Sequence, residues 1–163
     1  MFQKLDTFRI DTFPEFNIQY PEDWEKDNSL EKQSVCKQTD VNCLVSYVHK
    51  TKTVQAVFSA IALPRVNSKS LEELALDSWD NGSKTIPGIY LIATESIRLN
   101  DGSVAFQILS GYPDSNGIGL ILSVSILSDE TFYVLDGTVM GETVQAIEQY
   151  QAMLAIARSF SLK

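Results

Sequence analysis

Two segments of this sequence place apolar residues on both faces of an extended strand, and this pattern constrains the fold most. In residues 54–63 one face carries Val54, Ala56, Phe58, Ala60 and Ala62. The other face carries Val57, Ile61 and Leu63. Residues 118–127 repeat the pattern, with Ile121 and Leu127 opposite a second apolar row. Apolar side chains on both faces are typical of a strand inside a sheet that is covered on both sides.

Further strands are indicated by period-2 alternation and by turn residues. Residues 16–20 alternate and end at Pro21, which favours a turn. A hairpin is predicted over residues 33–50, with its turn at residues 38–41. The remaining strands are predicted near residues 90–99, 103–110 and 131–139. Asn100-Asp101-Gly102 and Asp114-Ser115-Asn116-Gly117 predict tight turns, because these residue types tolerate positive φ.

Two helices are predicted. Ser70 and Glu73 form the capping-box pattern that begins a helix, and Asn81-Gly82 predicts a left-handed stop at its end. The chain then closes with a helix over residues 142–160. Its predicted apolar stripe is Ile147, Tyr150, Leu154 and Ala157, with Met153 and Phe160 beside it.

These elements predict an α+β fold. A mainly antiparallel sheet of six or seven strands needs a helix on each face to bury both faces, which is an α/β/α sandwich. The sequence has no internal repeat and no Pro/Gly/Ser linker that would divide it. We therefore expect one domain over residues 1–163, with its core at about residues 13–161.

The charge balance excludes some partner classes. The 163 residues carry a formal net charge of -8. Nucleic-acid binding and docking on anionic lipid both depend on Lys and Arg, so neither is expected. No stretch approaches the ~20 apolar residues of a membrane span, and the first residues lack a signal-peptide core. The chain is thus expected to be cytosolic, or to be exported by a signal or lipid anchor outside this sequence.

Near its start the sequence has the segment Phe16-Asn17-Ile18-Gln19-Tyr20-Pro21-Glu22-Asp23-Trp24, an aromatic-led strand that runs into Tyr-Pro-x-x-Trp. This segment resembles the start of the PsbP family and its structural relatives, the Ran-binding Mog family and the bacterial DcrB family. Ser70-Leu71-Glu72-Glu73 resembles the family's helix start. Phe132-Tyr133-Val134-Leu135, a helix with Tyr150, and Ile156-Ala157-Arg158-Ser159-Phe160 resemble its close. The resemblance implies the sandwich fold, an accessory or adaptor role and no catalytic motif.

Cys36 and Cys43 are the two cysteines, and they flank the turn at residues 38–41. Pairing Lys37 with Asn42 would put the cysteines opposite each other, within reach of a disulfide. A disulfide would indicate an oxidising compartment. The alternative interpretation is two free thiols. A metal site needs further ligands at suitable spacing, and only His49 is near.

The other chemistry-bearing residues have structural interpretations. His49 is interpreted as a strand-end residue near solvent, and it has no local nucleophile partner. Asp101, Asp114 and Asp136 are interpreted as residues at or near hairpin ends. The acidic run Glu22, Asp23, Glu25 and Asp27 is interpreted as a solvated loop, and Trp24 and Trp79 as packing residues. Gly111, Gly117 and Gly119 lack the context of a phosphate loop. We therefore expect no catalytic, metal or cofactor site.

The function hypothesis is a non-catalytic accessory or adaptor protein of the PsbP-like type. It binds a partner protein at a surface that the sequence does not locate, in an extracytoplasmic compartment and as a monomer or weak homo-oligomer. A membrane tether would come from a segment outside this chain. Two alternatives stay open: a cytosolic chaperone-like adaptor of the DcrB-related type, and a small ligand-binding enzyme with a site built from loops.

Overall fold

A computed structural model describes residues 7–29 and 34–163. Its helices are α1 (Leu71–Ser83), α2 (Thr143–Ser159) and a 3₁₀ helix (Ser34–Lys37). Its strands are β1 (Phe8–Thr12), β2 (Phe16–Pro21), β3 (Glu25–Lys26), β4 (Asn42–Lys50), β5 (Val54–Pro64), β6 (Tyr90–Arg98), β7 (Val104–Asp114), β8 (Gly117–Leu127), β9 (Thr131–Gly141) and β10 (Ser161–Leu162).

The main sheet is antiparallel throughout and has seven strands in the order β3-β4-β5-β9-β8-β7-β6. The two strands predicted to be apolar on both faces, β5 and β8, lie on either side of β9. They are therefore interior strands, as the two-sided pattern predicts. The predicted α+β class is confirmed.

The two helices cover opposite faces of this sheet. Successive residues of β9 point to alternate faces. Leu74 of α1 packs with Phe132 and Val134 on one face. Met153 of α2 lies over Gly137, which points to the other face, where an added Cβ would meet the Met153 sulfur at 2.6 Å. The molecule is thus an α/β/α sandwich.

A second, small sheet was not expected from the sequence. β2 pairs with β1 and with β10, and not with the seven-stranded sheet. Its apolar face instead packs into the core on the α2 side, where Phe16 stacks on Phe160 with ring centroids 4.9 Å apart. Tyr47 of the main sheet donates a 2.6 Å hydrogen bond to Asp11 Oδ2 of β1, and this bond connects the small sheet to the main sheet.

The prediction of a hairpin over residues 33–50 is wrong for its first arm. Residues 34–37 form a 3₁₀ helix, and residue 33 lies outside the described residues. The edge of β4 that this arm would have used is taken by β3, which pairs with Tyr47 and Val48. The Asp27 amide then donates to the Ser46 carbonyl.

Two helix details also differ from prediction. The capping box at Ser70 and Glu73 is present, but Gly82 lies inside α1 and Lys84, at the C-cap, is right-handed with φ -63°. The Gly82 carbonyl is satisfied by the Thr85 amide and hydroxyl, so no left-handed residue is needed there.

The apolar stripe of α2 is rotated from the predicted one. Its buried residues are Ala146, Met153, Ile156 and Ala157, whereas Ile147 is 44% exposed. The rotation follows from close packing on the sheet: a helix that approaches over Gly137 turns its small Ala146 inward and places Met153 above the glycine.

Candidate binding face

The face of the sheet that α1 covers contains a row of polar side chains across four adjacent strands. The register pairs Ser46 with Ser59, Ser59 with Asp136, and Asp136 with Ser123. Directly paired residues of an antiparallel sheet point to the same face. Asp136 shares its face with Phe132 and Val134, the residues that α1 covers. The row therefore lies on the α1 side, with Asp136 between two serines.

Hydrogen bonds join the members of this row in two pairs, Ser46 with Ser59 and Ser123 with Asp136. The Ser46 and Ser59 hydroxyls are 3.1 Å apart, and the Asp136 carboxylate accepts a hydrogen bond from the Ser123 side chain. Burial raises the pKa of Asp136 to about 6, and the Ser123 hydrogen bond offsets only part of that increase. Among the described residues, no lysine, arginine or histidine lies within 4.0 Å of this carboxylate.

Helix α1 covers only one half of this face. Leu74 and Ala75 contact the half that contains Val134 and Ile108, which are 1% exposed each. Away from α1, strands β4, β5, β9 and β8 keep apolar side chains on this face that are only half-buried. We call this region, including the half-buried members of the row, the open half-face; it consists of Val48, Val57, Ser59, Ile121, Ser123, Asp136 and Thr138.

The two cysteines lie beside this face. Cys36 of the 3₁₀ helix and Cys43 of β4 form a disulfide, with Cα atoms 5.5 Å apart. The bond is not the cross-strand pair that the sequence suggested, because Cys36 lies in a helical turn. It fastens the 3₁₀ helix to the start of β4, where Cys43 pairs with Ile61.

The remaining candidates from the sequence have local structural partners. His49 Nε2 is 3.2 Å from Asp23 Oδ2, and its ring lies 5.8 Å from that of Trp24. Asp101 accepts hydrogen bonds from the Ser103 amide and hydroxyl, which lower its pKa. Asp114 accepts a hydrogen bond from the Asn116 amide. These aspartates stabilise turns, as Asp does generally.

The acidic run and the tryptophans also have local roles. Asp27 accepts hydrogen bonds from Ser29, which lower its pKa. Trp24 is 2% exposed in the core. Trp79 Nε1 donates a 2.6 Å hydrogen bond to Ser110 Oγ, which anchors α1 to β7.

No group of three or more His, Cys, Asp or Glu side chains in residues 7–29 and 34–163 is arranged to hold a metal ion. Within the same residues, none of the helices is long and apolar enough to cross a membrane.

The placement of Asp136 is the main correction to the sequence interpretation. It is not at a hairpin end, because it lies in the middle of β9 and is hydrogen-bonded into the sheet. The signal was present in the alternation: Asp136 follows Phe132 and Val134 at period 2, so it had to share their covered face. Its neighbour Ser123 follows from the pairing of the consecutive strands β8 and β9, whereas Ser59 becomes visible only from the pairing of β5 with β9, which the sequence did not predict.

Comparison with protein-family models finds no match, and comparison with curated proteins finds none either. Solved structures do match over nearly the whole chain. Cyanobacterial PsbP (CyanoP) from Synechocystis sp. PCC 6803 has a TM-score of 0.66 at 14% identity, covering 98% of this chain and 95% of that one. The Ran-binding protein Mog1p of Saccharomyces cerevisiae has a TM-score of 0.68 at 12% identity, covering 96% of each chain.

A third match is LpqN of Mycobacterium tuberculosis, described as involved in cell envelope biogenesis. Its TM-score is 0.62 at 13% identity, covering 98% of this chain and 92% of that one. Identities this low show the fold alone. The chain has the PsbP/Mog fold that its sequence resemblance implies.

Proposed function

We propose that this chain is a non-catalytic accessory protein that binds a partner protein on its open half-face, in an extracytoplasmic compartment. The observation that carries the proposal is the uneven cover of the sheet. α1 buries Val134 and Ile108 to 1% exposure, while Val48, Val57 and Ile121 on the same face stay half-buried. A sheet face whose apolar residues are only partly covered, as this one is by the described residues, is a typical site of protein association.

The similar structures support the same class of function. Mog1p is described as Ran-binding, which is association with a protein, and LpqN is described as acting in cell envelope biogenesis. The Cys36–Cys43 disulfide supports an extracytoplasmic location, because disulfides persist in oxidising compartments. A cytosolic adaptor would use the same face and differ in compartment, so the redox state of the two cysteines separates the two hypotheses.

Site-specific photo-cross-linking in the source cells tests the proposal. A photoreactive amino acid replaces Val57 on the open half-face, and in a matched control it replaces Lys52 in the exposed turn before β5. We expect one discrete protein adduct from position 57 and none from position 52. Adducts of equal yield from both positions, or none from position 57, would contradict a partner site on this face.

A further inference from the structure

We propose that the open half-face receives a basic segment of the partner, one of whose lysine or arginine side chains pairs with the Asp136 carboxylate. This inference rests on the proposed function and adds the chemistry of the partner. The occupant is therefore a polypeptide with a cationic side chain between apolar neighbours. It is argued from the geometry of the polar row and from charge complementarity.

The first step is the position of the carboxylate. Asp136 lies at the middle strand of the seven, with Ser59 and Ser123 directly beside it on the same face. Its carboxylate accepts a hydrogen bond from Ser123, and the described residues place no cation within 4.0 Å. A carboxylate taken out of water without a cationic partner destabilises a protein. An incoming cation would remove that cost.

The second step is the set of groups around the carboxylate. The Ser59 hydroxyl has lone pairs that can accept hydrogen bonds from a guanidinium or ammonium group. Val57 and Ile121 lie one pair further along and pair with Thr138 between them. Their half-buried side chains provide apolar surface for the methylene stem of a lysine or arginine. The site therefore complements both parts of a long basic side chain.

The third step is the charge of the whole chain. A formal net charge of -8 attracts a basic segment over distances of about a Debye length and disfavours an acidic one. Burial raises the pKa of Asp136 to about 6, so the carboxylate is mostly charged at neutral pH. Pairing with a cation lowers the pKa of a carboxyl group. Binding is therefore expected to lower the pKa of Asp136.

A pair of short peptides tests the inference on the purified chain. The probe is acetyl-Leu-Arg-Leu-amide, and the matched control replaces arginine with citrulline, which has nearly the same shape without the charge. Binding is followed by NMR, through the backbone amides and the Asp136 carboxyl carbon. We expect the arginine peptide to shift the Val57, Ile121 and Thr138 resonances and to lower the pKa of Asp136. Equal binding of both peptides would overturn the inference.

Two variants and one control locate the charge. Asp136→Asn is expected to weaken binding of the arginine peptide by about tenfold or more, since it removes the charged acceptor. Asp129→Asn removes the same charge from the exposed β8–β9 turn and is expected to change binding by less than about twofold. Thr138→Lys places an internal cation beside Asp136 and is also expected to weaken binding. If Asp136→Asn and Asp129→Asn weaken binding of the arginine peptide equally, the peptide is attracted by the net charge of the chain and not by Asp136, which would contradict the inference.

The cross-link from position 57 separates failure of this inference from failure of the proposed function. If Asp136→Asn abolishes the adduct in cells, both the proposed function and this inference are supported. If the adduct forms in the Asp136→Asn variant as in the original chain, the partner docks here without using the carboxylate, and only this inference fails. If no adduct forms in either, the proposed function itself is wrong.

Discussion

Asp136 is half-buried beside serines, with no cation within 4.0 Å among the described residues, and this burial raises the pKa of its carboxyl group. We therefore expect the charged carboxylate to lower the stability of the isolated chain at neutral pH. The fold tolerates this cost at the centre of its largest sheet. Other polar groups of the core are neutral: Ser46, Ser110 and Ser125 are each at most 1% exposed. Within the described residues, this half-buried charge among neutral hydroxyls is therefore the residue-level feature that most needs an explanation outside the fold.

The pH dependence of stability follows from this residue. The pKa of Asp136 is about 6 in the folded chain and near its ordinary value of 3.8 when unfolded. Between these values the folded state binds more protons, so the free energy of unfolding falls as pH rises through this window. Asp136→Asn removes the penalty and is expected to stabilise the chain at neutral pH by about 1–3 kcal/mol. Urea unfolding of both proteins across this range measures the difference.

The difference between the two proteins should shrink towards zero as the pH falls below the unfolded pKa, where the carboxyl is protonated in both states. Asp129→Asn is the control, because its side chain is exposed and its removal should change stability by less than about 0.5 kcal/mol. An Asp136→Asn variant that is less stable than the original at neutral pH would show that the carboxylate has a stabilising partner.

At the scale of elements, the contact between α2 and the sheet depends on one residue without a side chain. Gly137 of β9 lies under Met153, and an added Cβ would come within 2.6 Å of its sulfur. We expect Gly137→Ala to destabilise the chain by about 1–3 kcal/mol, because Met153 must leave its packed position. Thermal or denaturant unfolding measures this change.

Gly82 provides the matched control. It lies in the exposed last turn of α1, and an added Cβ would meet no atom within 4 Å. Gly82→Ala is expected to stabilise the chain by about 0.5–1 kcal/mol through helix propensity. Changes in the free energy of unfolding that have opposite signs in the two variants would support the packing described. A stabilising Gly137→Ala would show that α2 does not approach the sheet so closely.

The disulfide is a second element-level prediction. Cys36 and Cys43 enclose a short segment, with a sequence separation of 7. Reduction is therefore expected to cost only about 2 kcal/mol of stability. Intact mass of the air-folded chain without reductant should be lower by two hydrogens, and neither cysteine should react with iodoacetamide in cells. Alkylation of both cysteines in unreduced cells would contradict the extracytoplasmic assignment.

The elements differ in how well the sequence predicts them, for physical reasons. β5, β8 and the capping box of α1 are set by local alternation and by side-chain capping, so their residues predict them directly. The 3₁₀ helix at Cys36 and the rotated face of α2 depend on which neighbour occupies a sheet edge or lies under a helix. The same holds for part of the polar row. Period 2 gives the face of Asp136, and the hairpin of β8 and β9 brings Ser123 beside it, but Ser59 becomes its neighbour only because β5 pairs with β9.

At the scale of the whole molecule, the two layers on the sheet are unequal. On one face α2 packs together with β2, so that Phe160 and Ile18 are fully buried. On the other face α1 covers one half, and Val57, Ile121 and Thr138 remain half-buried. A sandwich with one incompletely covered face presents a surface of fixed geometry, because its residues lie on paired strands. Such a surface suits docking of a second chain with little rearrangement.

The most direct test of this account is methyl NMR of the chain with the partner identified by cross-linking. Val48, Val57 and Ile121 report on the open half-face, while Val144 and Ile147, which are 63% and 44% exposed on α2, report on the opposite side. We predict that the methyl signals of the first three residues shift on binding and that those of Val144 and Ile147 do not. Shifts confined to α2 or to the outer strand β6 would contradict the account.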